Sequence, residues 1–498
     1  RFMLKTFARC CTAFSAIFIF PKIIFSQEQL GMRLERYAGI YSATLNPANT
    51  AFNPDNWEVS LFSADAFFEN SYAYLQNTSL QNALRNSDKI ISVTDTSAEN
   101  PPAQDAIFLD YFDAKRKMRS VEQTRITGPS FSFRFGENNV VGLVTAFRSN
   151  VSAYKIPEIL SYRSISNVPA GQTIDIAPTG SQAMAWGEIG LHYSRRNTES
   201  DMYTAFGVTP KLLLGMEGVY ARSQSDLQYT DLPGDTVSFG NADWDYALTT
   251  GNLTDNSDSI QVRVQGTGFG LDLGYVWAIS ADDGDSDEDY AWRLGVSLID
   301  AGFMRFGKSA EKHHIEFDTT IAVSNSDFPP ADDPHDLIED ASRVFLGDPA
   351  ASLQGRAFTI GLPTALSVQL DAKVAPHFYV SGLVVQRIKL FKYSLQRPST
   401  VAVVPRFEHR WFSFSLPVVL NDWQSFRIGM AARLGFLYLG TDNLGSFFTK
   451  DKLTGGDFYI GLKINAFSFG EREGSGLRSS SGGGHGRQKR GKIKCYEF

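Results

Sequence analysis

From Phe358 to Val374 the chain alternates with a period of two. Phe358, Ile360, Leu362, Leu366, Val368, Leu370 and Val374 share one parity; Thr359, Ser367, Gln369, Asp371 and Lys373 share the other. That period belongs to an extended strand with one apolar face, because helical faces repeat every three to four residues. Strands of soluble proteins usually run about 5–6 residues. A strand that crosses a bilayer needs about 9–11 in the apolar zone and often continues past it. The run is therefore read as one long membrane-crossing strand.

The pattern recurs. Phe131, Phe133 and Phe135 alternate with Ser130, Ser132 and Arg134. Ala185, Ile189, Leu191 and Tyr193 oppose Trp186, Glu188 and His192. Trp292, Leu294, Val296 and Leu298 oppose Arg293 and Ser297. Ile428, Met430, Leu434, Phe436 and Tyr438 oppose Arg427 and Arg433, and Phe458, Ile460, Leu462 and Ile464 oppose Tyr459, Lys463 and Asn465. Charged residues keep to the non-apolar face. In a membrane barrel that face lines a polar lumen. Short connections (Gly136–Asn139, Arg196–Ser200, Ala375-Pro376) alternate with long ones near 76–122, 155–182, 223–257 and 309–355. Helix-like pieces lie in two of the long ones, Ser79–Arg85 and Asp336–Phe345. Short turns on one side and long loops on the other are an outer-membrane barrel arrangement.

Composition fits this. Phe 38, Tyr 19 and Trp 7 make 13% aromatic residues, at a mean hydropathy of −0.18. A bundle of apolar membrane helices is excluded, and no stretch beyond the N-terminus reaches the length such a helix needs. The net charge of −7 excludes a general nucleic-acid binder. Residues 1–26 read as a cleaved signal peptide: Arg1, Lys5 and Arg9 precede the apolar run Thr12–Phe20, and Ser26 precedes Gln27. Cys10, Cys11 and Cys495 leave no internal disulfide once that segment is removed.

Motifs of catalysis are weak. Gly302–Ser309 matches a P-loop by letter, but Phe303, Met304, Arg305 and Phe306 fill it and no helical pattern follows. Gly266, Gly268 and Gly270 mark a bulge or kink within a strand, with Asp272 on the inward face. Asp282–Asp289 lacks the Gly and Glu of a calcium loop, and His313-His314 has no zinc spacing. No enzyme activity, cofactor or metal is expected.

The segment Asn46-Pro47-Ala48, after an exported N-terminus and before the first strand, resembles FadL-type outer-membrane barrels, including the PorV barrel of type IX secretion. With Gln29-Leu30-Gly31, the strand end Leu298-Ile299-Asp300-Ala301-Gly302, Leu362-Pro363-Thr364 and Gly440-Thr441-Asp442-Asn443-Leu444, the chain is more closely similar to an uncharacterised family of type IX-associated barrels, distantly similar to PorP/SprF. The resemblance covers most of 27–469 and implies an N-terminal segment tucked into the lumen.

The expected architecture is an all-β transmembrane antiparallel barrel of about 14 strands (range 12–16) over residues 57–469. Residues 27–56 form an N-terminal plug around Asn46, Pro47 and Ala48, and 470–498 a flexible basic periplasmic tail. Arg134, Glu188, Asp272, Arg293, Arg427, Arg433 and Lys463 face the lumen. Lipid-boundary girdles are expected at Phe67-Phe68, Tyr290 with Trp292, Phe378-Tyr379, Trp411-Phe412 and Phe436 with Tyr438, with Phe467 and Phe469 closing the last strand. Arg487, Lys489, Arg490, Lys492 and Lys494 of the tail are docking candidates for a partner's acidic face or for peptidoglycan. The expected location is the bacterial outer membrane, with lipid and protein partners. The function read first is an accessory barrel of a secretion or surface-assembly machine; the alternative is a FadL-like passive transporter of a hydrophobic or small polar substrate.

Overall fold

The computed structural model describes residues 29–465 except 93–105, 113–117, 162–163, 166, 200–201, 235, 252–262, 281–289 and 329–333. The signal segment, the acidic run, Phe467, Phe469 and the basic tail lie outside the described residues. The described chain folds as a closed antiparallel barrel of 14 strands.

In chain order these are β1 (Trp57–Asn70), β2 (Met118–Thr127, then Ser130–Phe135), β3 (Asn139–Ile156), β4 (Gly180–Glu199) and β5 (Met202–Ser223). They continue as β6 (Ala242–Thr249, then Gly266–Ile279), β7 (Trp292–Phe306, then Ala310–Phe317), β8 (Leu353–Gly355, Phe358–Gly361, Ala365–Ala375) and β9 (Phe378–Arg387). The last are β10 (Thr400–Glu408), β11 (Phe412–Ser415, Val418–Asn421), β12 (Ser425–Ile428, Met430–Leu434), β13 (Leu437–Thr441) and β14 (Gly455–Asn465). Each pairs with its sequence neighbour. β14 closes on β1 from Glu58↔Asn465 to Glu69↔Gly455. Closure leaves no sheet edge, the condition a lipid environment imposes on strands.

The alternation places the apolar parity outside. Phe133, Leu191, Leu212, Phe269, Leu370, Val403 and Leu434 are exposed on the outer wall. No helix among the described residues is long and apolar enough to cross a membrane. At the long-loop end, strands Thr173–Ile176, Leu227–Leu232, Thr236–Gly240 and Ile321–Ser324 make a small sheet. Leu227, Tyr229, Val237, Phe239 and Val323 pack there against Val344 and Phe345 of the helix Pro334–Leu346. A shorter helix, Leu80–Arg85, is capped by Ser79, whose Oγ accepts from the Asn82 N–H at 3.3 Å.

Three expectations are corrected. Phe358–Val374 is not one strand. It breaks at Leu362–Thr364, so Phe358 and Ile360 face the interior while Leu366, Val368 and Leu370 face outward. The neighbouring strand changes face beside it. Asp300 adopts the left-handed region (φ 54), which Asp tolerates better than most residues. Leu298–Gly302 is therefore a mid-strand bulge rather than a strand end, and of the P-loop letters Gly302–Phe306 are strand while Gly307–Ser309 form the turn before Ala310. The bulge expected at Gly266–Gly270 sits one step on, between Leu271 and Leu273.

The girdle expectation is also only half met. Phe378, Trp411, Phe412, Trp292 and Phe436 are exposed outside, but Phe67, Tyr290, Tyr379 and Tyr438 are buried inside. Period two forbids adjacent residues such as Phe378 and Tyr379 from sharing a face. At Phe436 and Tyr438 the turn at Gly435 (φ 58) shifts the phase. The inward tyrosines carry hydroxyls that the lumen uses: Tyr290 donates to Asp371 at 2.6 Å and Tyr438 to the Tyr37 carbonyl at 2.9 Å.

Candidate functional site

The candidate site is the filled lumen. Its short-turn half holds residues 29–56, an inner segment made of the helical turn Leu30–Arg33 and the 3-10 turns Arg36–Thr44 and Pro47–Phe52. Pro47 opens the last turn and Asn46 caps it, its Oδ1 accepting from the Ala48 N–H at 3.0 Å. This turn lies against bare backbone. A Cβ on Gly207 of β5 would fall 2.3 Å from Pro47, and one on Gly274 of β6 would fall 2.0 Å from Asn46 Oδ1. Only glycine admits so close an approach. Thr50 Oγ1 then lies 2.7 Å from both His192 Nε2 and Ser194 Oγ of β4.

Charge ties the segment to the wall. Glu35 pairs with Arg433 at 2.9 Å, and Arg433 also donates to the carbonyls of His409 and Arg410. Arg33 lies 3.7 Å from Asp65, and Arg36 donates to the Tyr379 hydroxyl at 3.2 Å. Glu58 is buried. It accepts from the Ile40 N–H and from Ser132 Oγ and pairs with Lys463 at 2.7 Å. Arg134 donates to the carbonyls of Ala51 and Asn53. Arg293 donates to Leu34 O and joins Asp371, which also binds Arg406 at 2.7 Å.

Deeper in the wall Lys211 lies 2.6 Å from Asp272 and 2.9 Å from Asp300. Arg148 bridges Asp300 and Glu188, and Arg125 reaches Glu188 at 3.4 Å. Nearer the long-loop end Arg427 meets Glu69 at 2.8 Å; Arg119 links Glu69 to Asp422, and Arg387 closes on Asp422 at 2.6 Å.

The structure thus places Arg134, Glu188, Asp272, Arg293, Arg427, Arg433 and Lys463 on the inner face. It distributes them over separate pairings rather than one centre. Sequence reasoning missed their partners Arg148, Lys211, Glu69 and Glu58, and put Asp371 on the polar parity without singling it out. Strand parity was the available signal for each. It also missed an inward loop, residues 388–399 between β9 and β10. Tyr393 stacks on Tyr220 with centroids 3.9 Å apart, Ser394 bridges to Gly361, and Leu395 enters a cluster with Trp186, Leu213, Met304, Phe306, Phe358 and Ile360. Gln396 N–H donates to Ser152 Oγ at 3.1 Å, and Arg397 lies 3.9 Å from Asp300. Between the inner segment and β2–β3, a cavity of about 10 Å3 is lined by Arg33, Tyr41, Thr44, Arg125 and Ser130. That is room for about one water.

Short motifs meet in pairs. Leu30 N–H donates to the Asp442 carboxylate at 3.3 Å, and Thr364 Oγ1 donates to Asp300 O at 2.7 Å. His313 stacks on Tyr246 and bonds to Ser352, and no metal-holding cluster exists among the described residues.

Comparison with solved structures finds membrane barrels. The TodX deltaS2S3 mutant monoaromatic hydrocarbon channel and the Ralstonia pickettii toluene transporter TbuX are each 9% identical. Each match covers 86% of this chain and 94% of the other, at a TM-score of 0.37. A Pseudomonas aeruginosa FadL homologue is 8% identical, with 89% and 98% covered and a TM-score of 0.22. At these scores the shape of this barrel rests on its own strand pairing. None of these matches bears on type IX secretion, and no curated protein matches the chain. Residues 47–442 match the model of a family of unknown function, DUF5723, and the chain belongs to that family.

Proposed function

We propose that the protein is an outer-membrane passive transporter, closed at rest by its inner segment and its inward loop. The carrying observation is the width of the barrel set against what fills it. Eight strands enclose an interior that side chains alone can fill. Fourteen strands make a lumen wide enough to need separate fillers, and here both fillers are chain segments outside the wall.

The inner segment is held by ion pairs and hydrogen bonds together with apolar packing of Leu30, Leu34, Leu45 and Phe52 against the wall. Buried ion pairs contribute little net stability relative to their hydrated state, so water and solute can replace them at small net cost. A polar or a hydrophobic small molecule fits this reading; the neighbours' names give hydrophobic solutes, and at their TM-scores that does not extend to this chain. The reading of an accessory barrel docking partners keeps one supporting observation, the sheet and helix folded over the long-loop end.

Planar-bilayer conductance of the full chain tests the proposal. The wild type is expected to be mostly closed, and Glu35→Ala/Arg433→Ala to give frequent openings. Silence in both would favour the accessory reading.

A further inference from the structure

Four neutral polar atoms on the inner face of β2–β4 have no hydrogen-bond partner in the protein: Gln123 Nε2, Asn150 Nδ2, Gln182 Oε1 and Trp186 Nε1. All four side chains are more than nine-tenths buried. The strand register gathers them. Gln123 lies directly opposite Asn150, and Asn150 is diagonal to both Gln182 and Trp186, which flank its partner Met184. Such neighbours lie within about 5–8 Å of one another. Leaving one buried polar group unpaired costs about 1–3 kcal/mol. Four on adjacent strands therefore form an unsatisfied surface rather than a scattered defect.

What lies over this surface is the inward loop. Leu395 packs in one cluster with Trp186 and Met184, and Gln396 N–H takes the hydroxyl of Ser152, which neighbours Asn150 on the same face. Below it, Arg125 and Arg148 are already committed to Glu188 and Asp300.

We infer that Gln123, Asn150, Gln182 and Trp186 form a binding subsite for a small uncharged polyhydroxylated solute, a sugar or polyol. The loop 393–397 sits in its place at rest. The set is neutral and mixes donors with an acceptor, and hydroxyl groups supply both roles. A charged solute would need a free counter-charge, and the nearby charges are paired with one another. This deepens the transport reading and rests on it for physiological meaning, but binding can be measured without transport.

The test uses glucose and the full chain in detergent, with binding followed by calorimetry and tryptophan fluorescence. A Ser152→Cys/Gln396→Cys pair locks the loop when oxidised, and Leu395→Gly loosens it as a second route. Glucose is expected to bind the reduced pair and the loosened variant but not the oxidised pair. Adding Asn150→Leu should weaken binding about tenfold, the size expected for lost hydrogen bonds, with heat-modifiable gel mobility unchanged. Glucose binding that ignores both Asn150→Leu and the lock, no binding by the loosened variant, or preference for glutamate over glucose overturns the subsite. Proteoliposome swelling separates the two claims. Binding without glucose flux leaves the subsite and sinks transport; flux without binding sinks the subsite and leaves transport.

Discussion

The two halves of the lumen are closed by different chemistry. In the short-turn half the inner segment meets the wall through Glu35–Arg433, Arg33–Asp65 and the carboxylate of Glu58, interleaved with the apolar side chains of Leu30, Leu34, Leu45 and Phe52. In the half above it, the inward loop meets the wall through Tyr393, Leu395 and the aromatic group of Trp186, Tyr220, Phe306 and Phe358. The ion pairs of the polar seal add specificity but little net stability, since each ion leaves water to reach the other, and the area buried by Leu30, Leu34, Leu45 and Phe52 stabilises that half beside them. The apolar seal gains stability from area removed from water and is indifferent to which charge stands nearby. Glycines show the same division. Gly207 and Gly274 make room for the backbone of Pro47 and Ala48, whereas Gly215 and Gly218 make room for the ring of Phe306.

Four substitutions can break or sharpen that contrast. Lys463→Met leaves Glu58 buried without its cation. It should cost about 3–5 kcal/mol, most of it recovered by adding Glu58→Gln. A urea-unfolding series in detergent measures this, and absence of recovery would show that the polar seal does not behave as a pair. Leu395→Ala in the apolar seal should cost about 2–5 kcal/mol by leaving a cavity. No second charge change should rescue it; rescue would erase the distinction between the halves. Gly207→Ala drives a methyl into the Pro47 backbone at a cost of about 1–3 kcal/mol. Limited proteolysis should then cut within 35–56, and an unchanged digestion pattern would mean the wall has yielded instead. Asn46→Ala removes one cap and should cost about 1 kcal/mol. Its signature is a small rise in the same cleavage with no change above the inner segment.

Much of the wall was legible because period two assigns each strand residue to a face. Arg293, Arg427 and Lys463 point inward for the same reason that Leu294, Ile428 and Leu462 do not. Parity failed where the backbone changes phase. Asp300 and Pro363 lie where two adjacent strands switch faces together, and a run such as Phe358–Val374 carries no sign of the switch because even residues are apolar on both sides of it. Partner identity was not legible either. Arg148 and Asp300, or Glu35 and Arg433, are far apart in the chain, and only strand register and the path of the inner segment bring them together.

The sequence by itself determined that this chain would cross a membrane as strands. Alternation with charge confined to one parity also suits a soluble sandwich with one wet face, and strand length together with the export signal favoured the membrane. It also determined which side chains a lumen would receive. Only the tertiary structure decided that a second segment, residues 388–399, would close the other half of the lumen. Residues 388–399 mix Lys389, Lys392 and Arg397 with Leu390, Phe391, Tyr393 and Leu395, with no period that says which way the loop turns. They turn inward because Tyr220, Trp186 and Phe306, from three different strands, present an apolar surface that exists only once the barrel has formed. The favourable term is area buried between distant segments, and no local pattern encodes it.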